Sequence, residues 1–157
     1  MIFLDTSFLY PLFNVEDDDH ARVREVFESL RGRRLNELLV TTPHVIFETV
    51  TLIRLGQRQG RPDSQARHRQ AIYAGERLLA GKLARIFRPS EDDERAAFEY
   101  FKRHADQEYS MVDCLSFVVM EQQGIREPLA VDSDFTHRFL AARARKVEVA
   151  AHSGVPG

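Results

Sequence analysis

The sequence predicts a parallel α/β fold, and three observations carry that prediction. Short apolar runs alternate with segments of helical periodicity, as in sheets whose parallel strands are joined by crossover helices. Several of those runs end in an acid, at the strand ends where open α/β sheets place their ligands. Between residues 43 and 81, two helical patterns follow each other without a strand, so a helical hairpin interrupts the alternation.

The strand candidates are 1–4, 38–41, 84–87, 128–131 and 146–150. Residues 17–31 read as a helix because Val23, Val26, Phe27 and Leu30 recur at helical spacing. Residues 43–58 follow Thr42 as N-cap, with Pro43 at the first helical position. Gly56 and Gly60-Arg61-Pro62 mark the turn into 63–81, where Ala71, Ile72, Gly75, Leu78 and Leu79 share a face. Residues 91–105 place Ala97, Phe98, Phe101 and Ala105 together, and 111–124 end at Gly124 as a C-cap. One domain is expected over 1–150, with 151–157 as a frayed tail.

Composition bounds the function classes. The 157 residues are 43% hydrophobic and 29% charged, the balance of a soluble globular domain. No apolar run reaches the roughly 18–20 residues that cross a bilayer, and the opening Met-Ile-Phe-Leu-Asp lacks the basic flank of a signal peptide. A single cysteine, Cys114, excludes an internal disulfide and fits a reducing cytoplasm. The formal net charge of −2 does not exclude a nucleic-acid partner, because acids gathered in a pocket leave room for a basic rim. Arginines do cluster, at Arg31/Arg33/Arg34, Arg54/Arg58/Arg61 and Arg138/Arg143/Arg145. Most such clusters are solvated faces.

Five acids stand out. Asp5 follows Ile2-Phe3-Leu4, and Glu48 interrupts a stripe of Val45, Leu52 and Leu55. Asp113 opens the apolar segment 114–120, and Asp132 and Asp134 follow Leu129-Ala130-Val131. A carboxylate beside buried structure is costly unless a positive charge meets it, and neighbouring carboxylates raise one another's pKa. A divalent cation resolves both costs.

Each acid also has a bland reading. Asp5 is a good N-cap for a short helix, and Asp132-Ser133-Asp134 is ordinary turn chemistry. Ser110-x-x-Asp113 is a capping box, as is Ser90-x-x-Asp93. The helix after Asp93 is amphipathic, however, whereas the one after Asp113 is apolar almost all round, which implies a buried central element. Glu48 has the weakest bland reading, since a helix-interior Glu among apolar neighbours needs a partner. The six histidines show no zinc spacing, no glycine-rich phosphate loop appears, and Cys114 reads as core. Ser7 stands where a haloacid-dehalogenase site needs a second Asp. A response-regulator receiver needs paired early acids and a late Lys outside the last strand, and neither is present.

The segments Ile2-Phe3-Leu4-Asp5-Thr6-Ser7-Phe8, the helix carrying Glu48, Ser110-Met111-Val112-Asp113-Cys114-Leu115 and Ala130-Val131-Asp132-Ser133-Asp134-Phe135 stand in register over about residues 1–149. Together they resemble the PIN-domain ribonucleases, most closely the VapC toxins of VapBC toxin–antitoxin pairs. The resemblance implies a five-stranded parallel sheet with helices on both faces and an acidic pocket for Mg²⁺ or Mn²⁺. Asp5, Glu48, Asp113 and Asp132 correspond to the family's pocket acids, with Asp5, Asp113 and Asp132 as metal ligands. Asp134 stands where relatives vary, and Thr6 or Ser7 is placed to orient the first carboxylate or the attacking water. The implied activity is endonucleolytic hydrolysis of RNA, often tRNA or ribosomal RNA, by a cytoplasmic homodimer held inactive by a VapB-type antitoxin. The competing readings are a non-toxin PIN nuclease of RNA processing and a catalytically silent PIN-fold binding protein.

Overall fold

The computed structural model describes residues 1–30, 32–56 and 64–129. Asp132, Asp134, the strand expected at 146–150 and the tail at 151–157 lie outside the described residues.

The chain runs β1 (Ile2–Leu4), α1 (Thr6–Phe13), α2 (His20–Ser29), α3 (Leu35–Leu38), β2 (Leu39–Thr41), α4 (Pro43–Leu55), α5 (Ser64–Leu79), β3 (Arg85–Ile86), α6 (Glu91–Arg103), α7 (Met111–Gln122) and β4 (Glu127–Leu129). The described strands form a parallel sheet in the order β3-β2-β1-β4. β1 is therefore central, with Phe3 opposite Val40 on one side and Pro128 on the other. Its apolar composition follows from that position, because Phe3 and Leu4 are wholly enclosed. Phe8, Leu9, Val45, Ile46, Cys114, Val119 and Met120 complete the core around them. Each large side chain fully buried there contributes roughly 1.5–3 kcal/mol.

Every expected helix forms, within a few residues of its expected ends. Thr42 caps α4 by accepting from the Val45 amide at 3.3 Å, with Pro43 at N1. Gly56 ends α4 at φ 69°, a conformation costly for other residues. α5 lies close against α4 because it presents Ala71, Ala74 and Gly75; a Cβ on Gly75 would sit 3.4 Å from Val50.

Several expected faces are rotated. Ile72 and Leu79 are about half exposed, and the buried face of α5 is Ala71, Ala74, Gly75 and Leu78. Phe98 and Phe101 of α6 stack on each other at the surface, while Ala97 is the apolar residue that α6 buries. On α4 the buried stripe is Val45, Ile46, Thr49 and Ile53; Leu55 is exposed, so Glu48 stands at the edge of the stripe. α1 and α3 were not among the expected helices. α1 contains Pro11, which cannot donate to the Ser7 carbonyl one turn back.

Candidate active site

Asp5 occupies the junction of the central strand and α1. It is extended (φ −95°, ψ 165°), and its Oδ2 accepts from the Ser7 amide at 3.0 Å, so the capping role foreseen for it is real. The Thr41 hydroxyl donates to the Leu4 carbonyl at 3.0 Å, fastening the end of β1 to β2 directly beneath the acid. Capping uses one oxygen only. Oδ1 is buried and meets no donor among the described residues. The Ser7 hydroxyl, also buried, lies near enough to favour the charged carboxylate but outside hydrogen-bond geometry.

Burial pushes the Asp5 carboxyl up to about 6, and the Asp113 charge adds to the rise; the Ser7 and Thr6 amides oppose it. Asp113 thus reaches Asp5 electrostatically from the mouth of α7. It raises the Glu48 carboxyl as well, where partial burial is the larger cause. Three acids separated by more than 100 residues of chain therefore share one electrostatic neighbourhood. No lysine or arginine among the described residues pairs with any of them.

Glu48 has one partner among the described residues. The Thr6 hydroxyl donates to its Oε2 at 2.6 Å, joining the first residue of α1 to the middle of α4. Thr6 thus orients the second acid, where the sequence had suggested the first acid or a water. Arg22 is engaged with Asp19 and Arg54 with Ser64, so neither makes Glu48 a structural ion pair.

Asp113 completes a capping box: its Oδ2 accepts from the Ser110 amide at 2.8 Å and its own amide donates to the Ser110 hydroxyl at 3.0 Å. α7 beyond it buries Cys114, Leu115, Ser116, Phe117, Val119 and Met120, the enclosed element that the sequence implied. Cys114 is core, its thiol pushed up to about 11 by burial and by Asp113. The Ser116 hydroxyl is buried without a partner among the described residues, a feature that one serine in an apolar run does not announce.

These acids suit a hard divalent cation. The donors are oxygens, the charges repel one another unopposed, and a buried Asp5 oxygen has an unused lone pair. Asp5, Glu48 and Asp113 do not close into a ready-made cage among the described residues. Mg²⁺ needs no such cage, because it keeps several waters and is commonly held by one or two carboxylates.

The PIN domain family matches residues 2–138. The chain belongs to that family. Within it, the chain is similar to the 23S rRNA-specific endonuclease VapC20 of Mycobacterium tuberculosis, with 36% identity over 136 residues, covering 87% of this chain and 92% of the relative. The crystal structure of Mycobacterium tuberculosis VapC20, described as a sarcin-ricin loop cleaving toxin, superposes with a TM-score of 0.72 at 32% identity, covering 88% of this chain and 95% of that one. The structure of FitAB bound to an IR36 DNA fragment shares the fold, with a TM-score of 0.57 at 17% identity over 88% and 90% of the two chains.

Proposed function

We propose that this chain is a Mg²⁺- or Mn²⁺-dependent endoribonuclease, the toxin of a type II toxin–antitoxin pair, with ribosomal RNA as its substrate. The observation that carries the reading is the buried, half-used Asp5 carboxylate within reach of Asp113, whose charge also reaches Glu48, in a PIN-domain chain 36% identical to an rRNA endonuclease. Asp5 and Asp113 would hold the cation, with Asp132, outside the described residues, as the third ligand that the family resemblance implies. When bound, the cation lowers the pKa of water and offsets charge developing on the scissile phosphate.

The chain's own residues do the rest. Glu48, held by Thr6 and raised above the ordinary carboxylate range, accepts the proton of the attacking water. The water oxygen bonds to phosphorus as the bond to the leaving ribose oxygen breaks, and that oxygen takes a proton from solvent. Thr6 acts as a positioning residue for Glu48, Ser7 lies beside the Asp5 carboxylate, and Asp134 remains an auxiliary candidate. A VapB-type antitoxin and a second copy of the chain are the partners this reading implies, within the cytoplasm.

Incubating the purified protein with a sarcin–ricin-loop RNA in Mn²⁺, Mg²⁺ or EDTA tests the proposal. Discrete cleavage with either metal and none in EDTA is the expected result. Cleavage that survives EDTA overturns the metal-dependent reading. Induced expression of wild type should arrest growth while Asp5→Asn does not, and equal effects of the two remove the toxin assignment.

A further inference from the structure

The α4–α5 hairpin carries a charged feature that the carboxylate site does not use. At the end of the hairpin where α4 stops and α5 starts, Arg54, Ser64, Gln65, His68 and Arg69 line a groove of about 420 Å³, with no acid among them. Arg54 donates from Nη1 to the Ser64 hydroxyl at 3.1 Å, which holds its guanidinium across the gap between the helix ends without neutralising it. Arg69 projects from the next turn of α5 and is exposed.

Several cations elsewhere on the surface are neutralised by acids. Arg22 pairs with Asp19, Arg34 with Glu37, Arg95 with Glu91 and Asp92, and Lys102 with Glu99. Such pairs cancel charge within a turn of helix and leave little field for a ligand. Neither Arg54 nor Arg69 has an acid beside it among the described residues. A neighbouring concavity of about 320 Å³ is mostly acidic, with Glu16, Asp17, Asp18 and Asp19 on its wall beside Arg67.

Guanidinium groups with hydroxyl, amide and imidazole donors between them match phosphate oxygens in charge and hydrogen-bonding sense. Position selects the source of the phosphate. Arg54 lies six residues beyond Glu48 on the same helix, about 9 Å along the axis. Six residues also turn the helix by about 240°, so the groove lies around α4 from the acids, within reach of a flanking stretch of a bound strand. We propose that this groove binds the RNA backbone flanking the scissile bond, with Arg54 and Arg69 as its phosphate contacts. The inference rests on the endoribonuclease reading and adds where the substrate is gripped.

The test uses the full chain as wild type, Arg69→Gln and the double variant Arg54→Gln/Arg69→Gln. Binding of a fluorescent sarcin–ricin-loop RNA is measured in EDTA over a salt series, and cleavage kinetics in Mn²⁺. The double variant should bind about tenfold more weakly, with a salt slope smaller by about 1.4, near 0.7 for each lost contact to a single strand. KM should rise while kcat stays within about twofold, and Arg69→Gln alone should give about half the change in slope at an unchanged melting temperature. Wild-type cleavage with all three proteins equal in affinity and salt slope overturns the groove and leaves the endoribonuclease standing. Unchanged RNA binding together with weaker binding of an acidic peptide assigns the groove to a protein partner and equally overturns it. A wild type that neither binds nor cleaves RNA removes both readings.

Discussion

Two capping boxes of identical spacing, Ser90–Asp93 and Ser110–Asp113, open the two helices of one packed pair, and they do different jobs. Asp93 is buried and fully engaged: its Oδ2 accepts from the Ser90 amide and hydroxyl, and its Oδ1 accepts from the Gln122 side chain at the far end of α7. Those bonds hold its carboxyl below the ordinary range, the Ser90 amide most of all. Asp113 caps with Oδ2 alone, stands at the domain edge and faces two other acids. A cap is satisfied chemistry, whereas a cap with an idle oxygen beside like charges is stored repulsion. The difference lies in where the leftover lone pairs point, and local spacing does not encode it.

The largest effect should separate the two boxes on activity. Asp113→Asn should lower RNA cleavage by about 10²–10⁴-fold with little change in apo stability, because Asn can still cap. Asp93→Asn should leave cleavage within a few fold and cost about 1–3 kcal/mol, since an amide cannot accept from all three donors. Cleavage rates paired with urea melts decide it; equal activity loss in both would make the boxes equivalent.

The next effect is pH-dependent and belongs to Asp5. Its folded pKa of about 6 lies above the ordinary 3.8, so the folded state binds this proton more tightly than the unfolded state. Stability in metal-free buffer should therefore fall as pH rises from about 4 to about 6, by about 3 kcal/mol in total. Asp5→Asn should flatten that window and raise the apo melting temperature at neutral pH. Denaturant midpoints across the window check the sign, and a rise in stability with pH would contradict the burial of an unopposed charge.

Smaller effects attach to Glu48. Glu48→Gln should lose cleavage yet hold or raise the melting temperature in EDTA, because it removes repulsion without orphaning a cation. Thr6→Val should cost about 1 kcal/mol and slow cleavage several-fold, as Glu48 loses its only donor among the described residues. Smallest of all, Ser90→Ala and Ser110→Ala should each cost about 1 kcal/mol, and Ser110→Ala alone should slow cleavage by loosening the cap beneath Asp113. Equal activity of the two serine variants would remove the positional link.

Much of this was legible in the sequence for physical reasons. The apolar run ending in Asp5 marked the carboxyl edge of the sheet, where both a helix cap and a ligand site are expected. Thr42-Pro43 and the two Ser-x-x-Asp boxes fixed helix starts, since capping is local chemistry. α1 was foreshadowed only by Asp5 as a possible N-cap; Pro11 argues against a helix through it, and burial of Phe8 and Leu9 overrode that. The faces of α5 and α6 were misread where Ile72, Leu79, Phe98 and Phe101 supplied apolar residues on two adjacent arcs, and only tertiary packing selects between arcs. Within the site, the Thr6–Glu48 bond spans 42 positions and has no local signature. Asp113's distinction from Asp93 was visible only indirectly, through the apolar helix behind it.

The lone cysteine offers a different use of this geometry. Cys114 is wholly enclosed one residue after Asp113, and its thiol stays protonated far above neutral pH. An alkylating reagent can reach that sulfur only when α7 lifts away from the core, so the trapping rate at fixed pH measures the free energy of opening at the mouth of the acidic pocket. A cation that bridges the acids should lower that rate in proportion to its occupancy. Cys114 would thus time the proposed metal binding, readable by mass spectrometry without RNA, a label or a single substitution.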